Sequence, residues 1–113
     1  MAQTPGGLSD QPLALSGAVA YNEGAVVSRT LVNQAGGTLT VFAFDAGQEL
    51  SEHTAPFDAV VQVLEGEVTV TLAGQPRRVT AGEVLLMPAQ VPHALKAVTP
   101  FKMLLTMIRA AKE

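Results

Sequence analysis

Short apolar runs separated by turn-forming pairs constrain the fold of this chain more than any other feature. Between residues 59 and 108 such runs recur with a turn signal about every 8 to 12 residues, as in antiparallel sandwiches and barrels. Over residues 68–72, valine and leucine alternate with threonine, which is typical of a strand with one buried face. No segment has the pattern of a long helix. The sequence therefore predicts an all-β protein of antiparallel strands rather than an alternating β-α-β fold.

The domain boundaries follow from composition. Residues 1–12 are polar and rich in glycine and proline, so we predict a flexible N-terminal tail. Residues 13–113 form a single domain of ordinary size. Within it, residues 13–21 are interpreted as a strand before a turn at 22–24, the alternative being a short helix that Gly17 weakens. Residues 48–57 are polar, and we expect them to be irregular.

Charge and cysteine content exclude several classes of function. The net charge of −3 disfavours nucleic acid as a partner, because phosphate binding needs clustered lysine and arginine. The absence of cysteine excludes disulfides, thiolate metal sites and cysteine nucleophiles, and it fits a reducing cytoplasm, where we expect the protein. No apolar stretch reaches the roughly 18 residues of a membrane span, so we expect no membrane partner.

Several predicted strands are apolar on both alternate faces, notably 38–44, 59–64, 84–87 and 102–108. A strand with one face in water should carry polar side chains on that face. The pattern therefore predicts a covered outer face, and we expect a second copy of the chain to cover it in a two-fold homodimer. The alternative is that the N-terminal segment covers it.

The chain has two histidines, His53 and His93, and each lies next to a proline-containing loop. Gly47 precedes His53 by five intervening residues, and Gly66 closes that segment. Gly82 precedes Pro88 by the same spacing, and His93 follows. These two motifs resemble those of small single-domain cupins over residues 37–108. The resemblance implies a double-stranded β-helix, or jelly-roll barrel.

Departures from the cupin motifs affect the expected site. Many cupins bind a divalent metal through two histidines and a glutamate of the first motif and one histidine of the second. Here Ala55 and Ala59 stand at the second histidine and the glutamate. The resemblance thus implies a reduced site of His53 and His93, for a divalent metal such as Zn, Fe, Ni or Mn. Gln62 is a weak further candidate, because it faces away from Ala59 in a regular strand.

Other candidate groups depend on local irregularities. Glu52 and Asp58 lie near His53 in sequence but on the opposite face of a regular strand, and a bulge would be needed to turn either inward. Asp58 with His53 is the one candidate acid–base pair. Gln90 replaces the inner glycine of the second motif.

Three functions follow from this reading. The first is binding of a small molecule without catalysis, in an apolar pocket that the two histidines close. The second is a metal-dependent enzyme of the oxygenase, isomerase or decarboxylase kind, and the third is metal-free acid–base chemistry like that of cupin-like epimerases. The predicted pocket walls are apolar side chains of four strands: Phe42, Phe44, Val61, Val63, Val70 and Met87.

Overall fold

The computed structural model describes residues 7–109, which form nine strands and one short 3-10 helix. The 3-10 helix is Leu15–Gly17, and the strands are β1 Val26–Gln34, β2 Gly37–Phe44, β3 Glu49–His53, β4 Phe57–Glu65, β5 Glu67–Leu72, β6 Gln75–Thr80, β7 Val84–Met87, β8 His93–Ala97 and β9 Phe101–Arg109. Every strand pair is antiparallel. The all-β prediction is confirmed.

The strands form two sheets that face each other in a jelly-roll-like sandwich. The five-stranded sheet has the order β1-β2-β9-β4-β7, and the four-stranded sheet has the order β3-β8-β5-β6. The chain passes from the first sheet to the second at Gly66, between β4 and β5, with φ of +81°. A Cβ at this position would overlap the backbone of Pro100 and Phe101. Glycine is therefore required here both by conformation and by space.

The main core lies between the two sheets and follows from the alternation of apolar residues. On β4, the side chains of Ala59, Val61 and Val63 are all buried, whereas the residues between them are not. Phe44 and Phe101 stack in the interior with ring centroids 4.6 Å apart. Burial of these side chains from both sheets is what holds the sandwich closed.

A second cluster lies on the outer face of the five-stranded sheet, where the N-terminal segment covers Val41 and Ala43. Ala18 and Val19 of that segment are buried there at 8% and 7% exposure. The strand predicted over residues 13–21 was wrong, and the short helix weighed as its alternative is closer to the 3-10 turn that forms. This segment packs on the sheet through apolar side chains, and main-chain carbonyls of the segment accept hydrogen bonds from Arg29 and Lys102.

Polar contacts hold the same segment in place. The Nζ atom of Lys102 donates to the carbonyl oxygen of Ser16 at 2.6 Å and lies 3.5 Å from the Glu65 carboxylate. The hydroxyl of Tyr21 donates to Glu65 at 2.7 Å. The N-terminal segment therefore covers part of the outer face, as one of the two sequence interpretations proposed.

Two further expectations concern the ends of the chain and the region before β4. The predicted tail, residues 1–12, lies outside the described residues as far as residue 6, and beyond it the N–H of Leu8 donates to the carbonyl of Leu31 at 2.9 Å. Residues 48–57 were expected to be irregular, but β3 forms there. Its residues are mostly exposed at a sheet edge, so pairing with β8 rather than an apolar pattern creates the strand.

In the described part of the chain, no helix has the length and hydropathy to cross a membrane.

Candidate functional site

His53 and His93 meet at the end of the β3–β8 pair. They are register partners on adjacent antiparallel strands, which places both side chains on one face of the sheet. Their Nε2 atoms are 3.1 Å apart, and their rings meet edge to face with centroids 4.3 Å apart. The structure thus brings together the two histidines that the sequence motifs single out, and their role in a functional site stays a prediction.

An irregularity in β3 gives His53 its direction. Leu50 is paired with Leu95 and packs against the core, while His53 is paired with His93, so β3 contains one more residue than β8 between these pairs. Leu50 and His53 are three positions apart in the sequence, and regular alternation would put them on opposite faces. The extra residue in β3 returns His53 to the same face as Leu50.

Main-chain carbonyls fix the tautomer of both rings. The Nδ1 atom of His53 lies 2.9 Å from the carbonyl oxygen of Ser51, and that of His93 lies 3.2 Å from the carbonyl oxygen of Val91. A carbonyl oxygen only accepts, so each Nδ1 carries the proton and donates it. In the neutral rings both Nε2 atoms therefore present lone pairs to each other. Two acceptors at this distance need a proton or another electropositive group between or beside them.

The two rings differ in exposure. His93 is 4% exposed, whereas His53 is exposed to solvent. Burial lowers the pKa of His93, the bond to the Val91 carbonyl opposes that change, and the nearby charge of His53 lowers it further. Burial therefore favours the neutral form of His93, and the pair is accessible to solvent on the side of His53.

The pair has the geometry of two neighbouring ligands on one cation. Metal–nitrogen bonds to histidine are about 2.0 to 2.1 Å long. With the nitrogens 3.1 Å apart, such bonds would meet at roughly 95 to 100°, between the octahedral and tetrahedral angles. Among residues 7–109, no group of three or more histidine, aspartate and glutamate side chains could hold a metal ion. The two histidines thus fit part of a coordination shell whose other positions water or a ligand would fill.

The remaining polar candidates lie elsewhere. The Asp58 carboxylate accepts a hydrogen bond from the N–H of Ala89 at 2.9 Å, so it stabilises the loop that precedes His93. Gln62 is exposed, and Glu52 is exposed on β3. Within residues 7–109, no hydrogen bond joins the side chain of Asp58 or that of Gln62 to a histidine.

Gln90 explains one departure from the cupin motif. It adopts φ of +67°, the left-handed conformation that glycine adopts most easily. Its N–H donates to the carbonyl of Ala55 at 2.8 Å, which joins the loop before His93 to the loop after His53. The backbone shape of the motif is kept although the glycine is not.

The predicted pocket walls lie in the interior between the sheets. Phe44, Val61, Val63, Val70 and Met87 are at most 2% exposed, and Phe42 is partly buried against them. Side chains this buried are packed closely against one another. They belong to the core between the sheets, and His93 lies on the same buried face of β8 as the core residues Leu95 and Ala97. The accessible edge of this interior next to the histidine pair is called the rim below.

Two residues at this rim were missed by sequence reasoning. Phe57 begins β4 two residues before Ala59 and continues the interior face of the strand. Its register partner is Arg109 at the end of β9, whose guanidinium carbon lies 5.0 Å from the centroid of the Phe57 ring. The alternation of residues 57, 59 and 61 could have indicated Phe57. Arg109 becomes its neighbour only once the register of β4 and β9 is known.

Comparison with known proteins gives a consistent picture. The family model described as the cupin domain matches residues 40–108. No curated protein matches the chain. A conserved protein of unknown function from Streptococcus pyogenes has a similar structure, with a TM-score of 0.90 and 36% sequence identity over 99% of this chain and 98% of that chain.

Two further structures support this result. A cupin superfamily protein from Desulfitobacterium hafniense has a TM-score of 0.87 and 27% identity, covering 96% of this chain and all (100%) of that chain. A cupin 2 conserved barrel domain protein from Leptotrichia buccalis has a TM-score of 0.81 and 39% identity, covering 83% of this chain and 46% of that chain. The chain therefore spans about half the length of the Leptotrichia protein.

Proposed function

The chain belongs to the cupin domain family, and we propose that it is a small-molecule-binding member whose polar anchor is the pair His53 and His93. The observation that carries the proposal is the convergence of two Nε2 lone pairs at 3.1 Å above an apolar interior. Small-molecule sites are typically apolar cavities with a few directed polar groups. The pair is one such group.

The pair acts as a double acceptor. Because both Nδ1 atoms donate to main-chain carbonyls, neither ring can turn without losing a hydrogen bond. A ligand with an O–H or N–H donor beside the two Nε2 atoms, its hydrogen shared by both, would relieve their mutual repulsion. Ligand binding would therefore be strongest with both rings neutral, and it would weaken as the pair takes up a proton.

A second candidate function is supported by the same distance. A divalent cation held by His53 and His93 would occupy two neighbouring coordination positions, which the 3.1 Å separation suits. When bound, such an ion would act as a Lewis acid on a ligand oxygen. In that case the protein would be a metal-dependent enzyme of the oxygenase, isomerase or decarboxylase kind.

Metal-free acid–base catalysis has less support. The expected partner of His53 was Asp58, but its carboxylate is bonded to the N–H of Ala89. General acid–base catalysis by a histidine needs its proton partner within hydrogen-bond reach. Within residues 7–109, the hydrogen bonds of the two histidines go to the carbonyls of Ser51 and Val91 and to each other, and none goes to a carboxylate.

We also propose that the protein is a homodimer. The N-terminal segment covers one part of the outer face of the five-stranded sheet, and the part beyond it exposes Val84 at 64%, Leu86 at 49% and Ile108 at 50%. An apolar strip of this kind is typical of a subunit interface. A sedimentation mass close to the 11.7 kDa of one chain at micromolar concentration would contradict the dimer. The location of the protein in the cytoplasm stays a prediction.

Metal titration separates the first two functions. After chelation, Zn²⁺, Fe²⁺, Ni²⁺ and Mn²⁺ are added singly, and binding is followed by calorimetry for the wild type, His53→Ala and His93→Ala. Micromolar or tighter binding that either substitution abolishes would establish the metal site. Binding no tighter than millimolar would exclude the second candidate. Nitrogen-15 spectra of the two imidazoles test the shared premise, which requires protonated Nδ1 in both rings of the chelated protein at neutral pH.

A further inference from the structure

Arg109 and Phe57 are in contact at the same end of the sandwich as the histidine pair, and the Arg109 guanidinium places a positive charge there. Phe57 lies four residues after His53, and fully extended residues span at most about 3.3 to 3.6 Å each, so the two Cα atoms are within roughly 14 Å. Phe57 shares the interior face of β4 with Ala59 and Val61, which are buried. As its register partner, Arg109 lies on that same face.

The guanidinium of Arg109 has no acidic partner within residues 7–109. The two ion pairs in that range join Arg78 to Glu67 and Lys102 to Glu65. The guanidinium carbon of Arg109 instead lies 5.0 Å from the centroid of the Phe57 ring, a cation–π contact that does not require its N–H donors. Its five donors, in a planar fork that suits a carboxylate, remain available.

The charge of the rim favours an anion. Ala59, the next interior residue on β4, is buried at 3% exposure and contributes no charge. The position resembles the one where the cupin motif has its glutamate. With alanine there, the interior side of the rim has two histidines and a guanidinium. The nearby carboxylates of Asp58 and Glu52 belong to exposed residues of β4 and β3, and that of Asp58 accepts from the N–H of Ala89. The interior side of the rim therefore favours a ligand that brings a negative charge.

We propose that the site binds a small carboxylate, with the carboxylate on the Arg109 guanidinium and a second polar group of the same molecule on the histidine pair. This inference rests on the proposed function of that pair. The two anchoring points lie on opposing sheets, which pack about 10 Å apart. Since the arginine side chain covers part of that distance, the ligand class is a short hydroxy or amino acid rather than a long-chain acid.

Matched ligands and variants test this inference. Lactate, glycerate and 3-hydroxybutyrate are each compared with their primary amides, using calorimetry and the imidazole NMR signals of the chelated protein. At least one carboxylate should bind ten times or more tightly than its amide, and Arg109→Gln should reduce its affinity to that of the amide. Arg77→Gln is the control, because Arg77 is also exposed but donates only to its neighbour Pro76.

The outcomes separate this inference from the proposed function. Equal affinity for the acid and its amide, or an unchanged affinity in Arg109→Gln, would overturn the carboxylate site. The histidine anchor would still stand if His53→Gln weakens binding. A different result would overturn the histidine anchor and the binding of one ligand at both points. In that result, binding depends on Arg109 but neither shifts the imidazole NMR signals nor weakens in His53→Gln. If all three carboxylates fail to bind at millimolar concentration, the inference is wrong. Circular dichroism of each variant confirms that it is folded.

Discussion

Restoring a carboxylate at Ala59 is the sharpest test of the candidate site. Ala59 is 3% exposed on the interior face of β4, between its register partners Met87 and Met107. If this position lies beside the Nε2 pair, Ala59→Glu would supply a third ligand to a cation held by the histidines. The matched control is Gln62→Glu, which adds the same charge to the same strand on its exposed face.

The magnitudes follow from burial. Without metal, Ala59→Glu both overfills the interior and places a carboxyl group there, for a combined cost of about 2 to 6 kcal/mol in the free energy of unfolding. Gln62→Glu is exposed and should change it by no more than about 0.5 kcal/mol. With saturating Zn²⁺, each tenfold gain in affinity adds about 1.4 kcal/mol, or roughly 5 °C in Tm for a chain of this size.

The assay is thermal unfolding with Zn²⁺ and with chelator, followed by circular dichroism. For Ala59→Glu, the difference in Tm between the two conditions should exceed that of the wild type by at least about 5 °C, which corresponds to a tenfold tighter site. Gln62→Glu should match the wild type. If the two variants show the same metal-dependent difference, Ala59 does not face the histidine pair and the site has been placed wrongly.

Three further predictions concern stability. Burial lowers the pKa of His93 below 6.5, so the unfolded chain takes up this proton at higher pH than the folded chain, and the free energy of unfolding should fall as pH drops below 6.5. Urea unfolding in the presence of chelator should show this pH dependence, and His93→Gln should reduce it. Gly66→Ala should cost at least about 3 kcal/mol more than Gly74→Ala, since both have positive φ but only the first meets backbone atoms; equal costs in urea would contradict the close approach. Thr38→Val should raise stability by about 1 kcal/mol, because its hydroxyl is buried without a partner in the described residues; a loss of stability by the same assay would mean that the hydroxyl is bonded.

Much of the strand framework could be predicted from the sequence. The strand predicted over 84–87 coincides with β7, and those over 59–64 and 102–108 differ from β4 and β9 by one or two residues at each end. These strands have buried apolar side chains on the interior face and further apolar side chains on the outer face, so their apolar runs stand out in the sequence. Residues that turn the chain are equally clear, as at Gly47 and Gly82, where φ is positive.

The site was less predictable because it depends on pairing between distant segments. β3 has little apolar pattern, and its pairing partner is about forty residues away. The direction of His53 depends on the extra residue in that strand, which no local signal marks. Arg109 becomes a neighbour of Phe57 only through the β4–β9 register. Sequence motifs could identify the two histidines, but not the groups that surround them.

The position of β3 has a consequence for the lifetime of the site. β3 is a five-residue edge strand with mostly exposed side chains, and it is bonded to the sheet only through β8. Edge segments of this kind open locally at a much lower free energy than the whole domain unfolds. Each opening would separate His53 from His93 while the remaining strands stay paired.

Ligand affinity is then reduced by the fraction of time that β3 is detached. We expect amide hydrogens of residues 49–53 to exchange with solvent faster than those of β4 and β9. A ligand held by both histidines should slow exchange in β3 selectively. The edge strand would then set how quickly the site captures and releases its ligand.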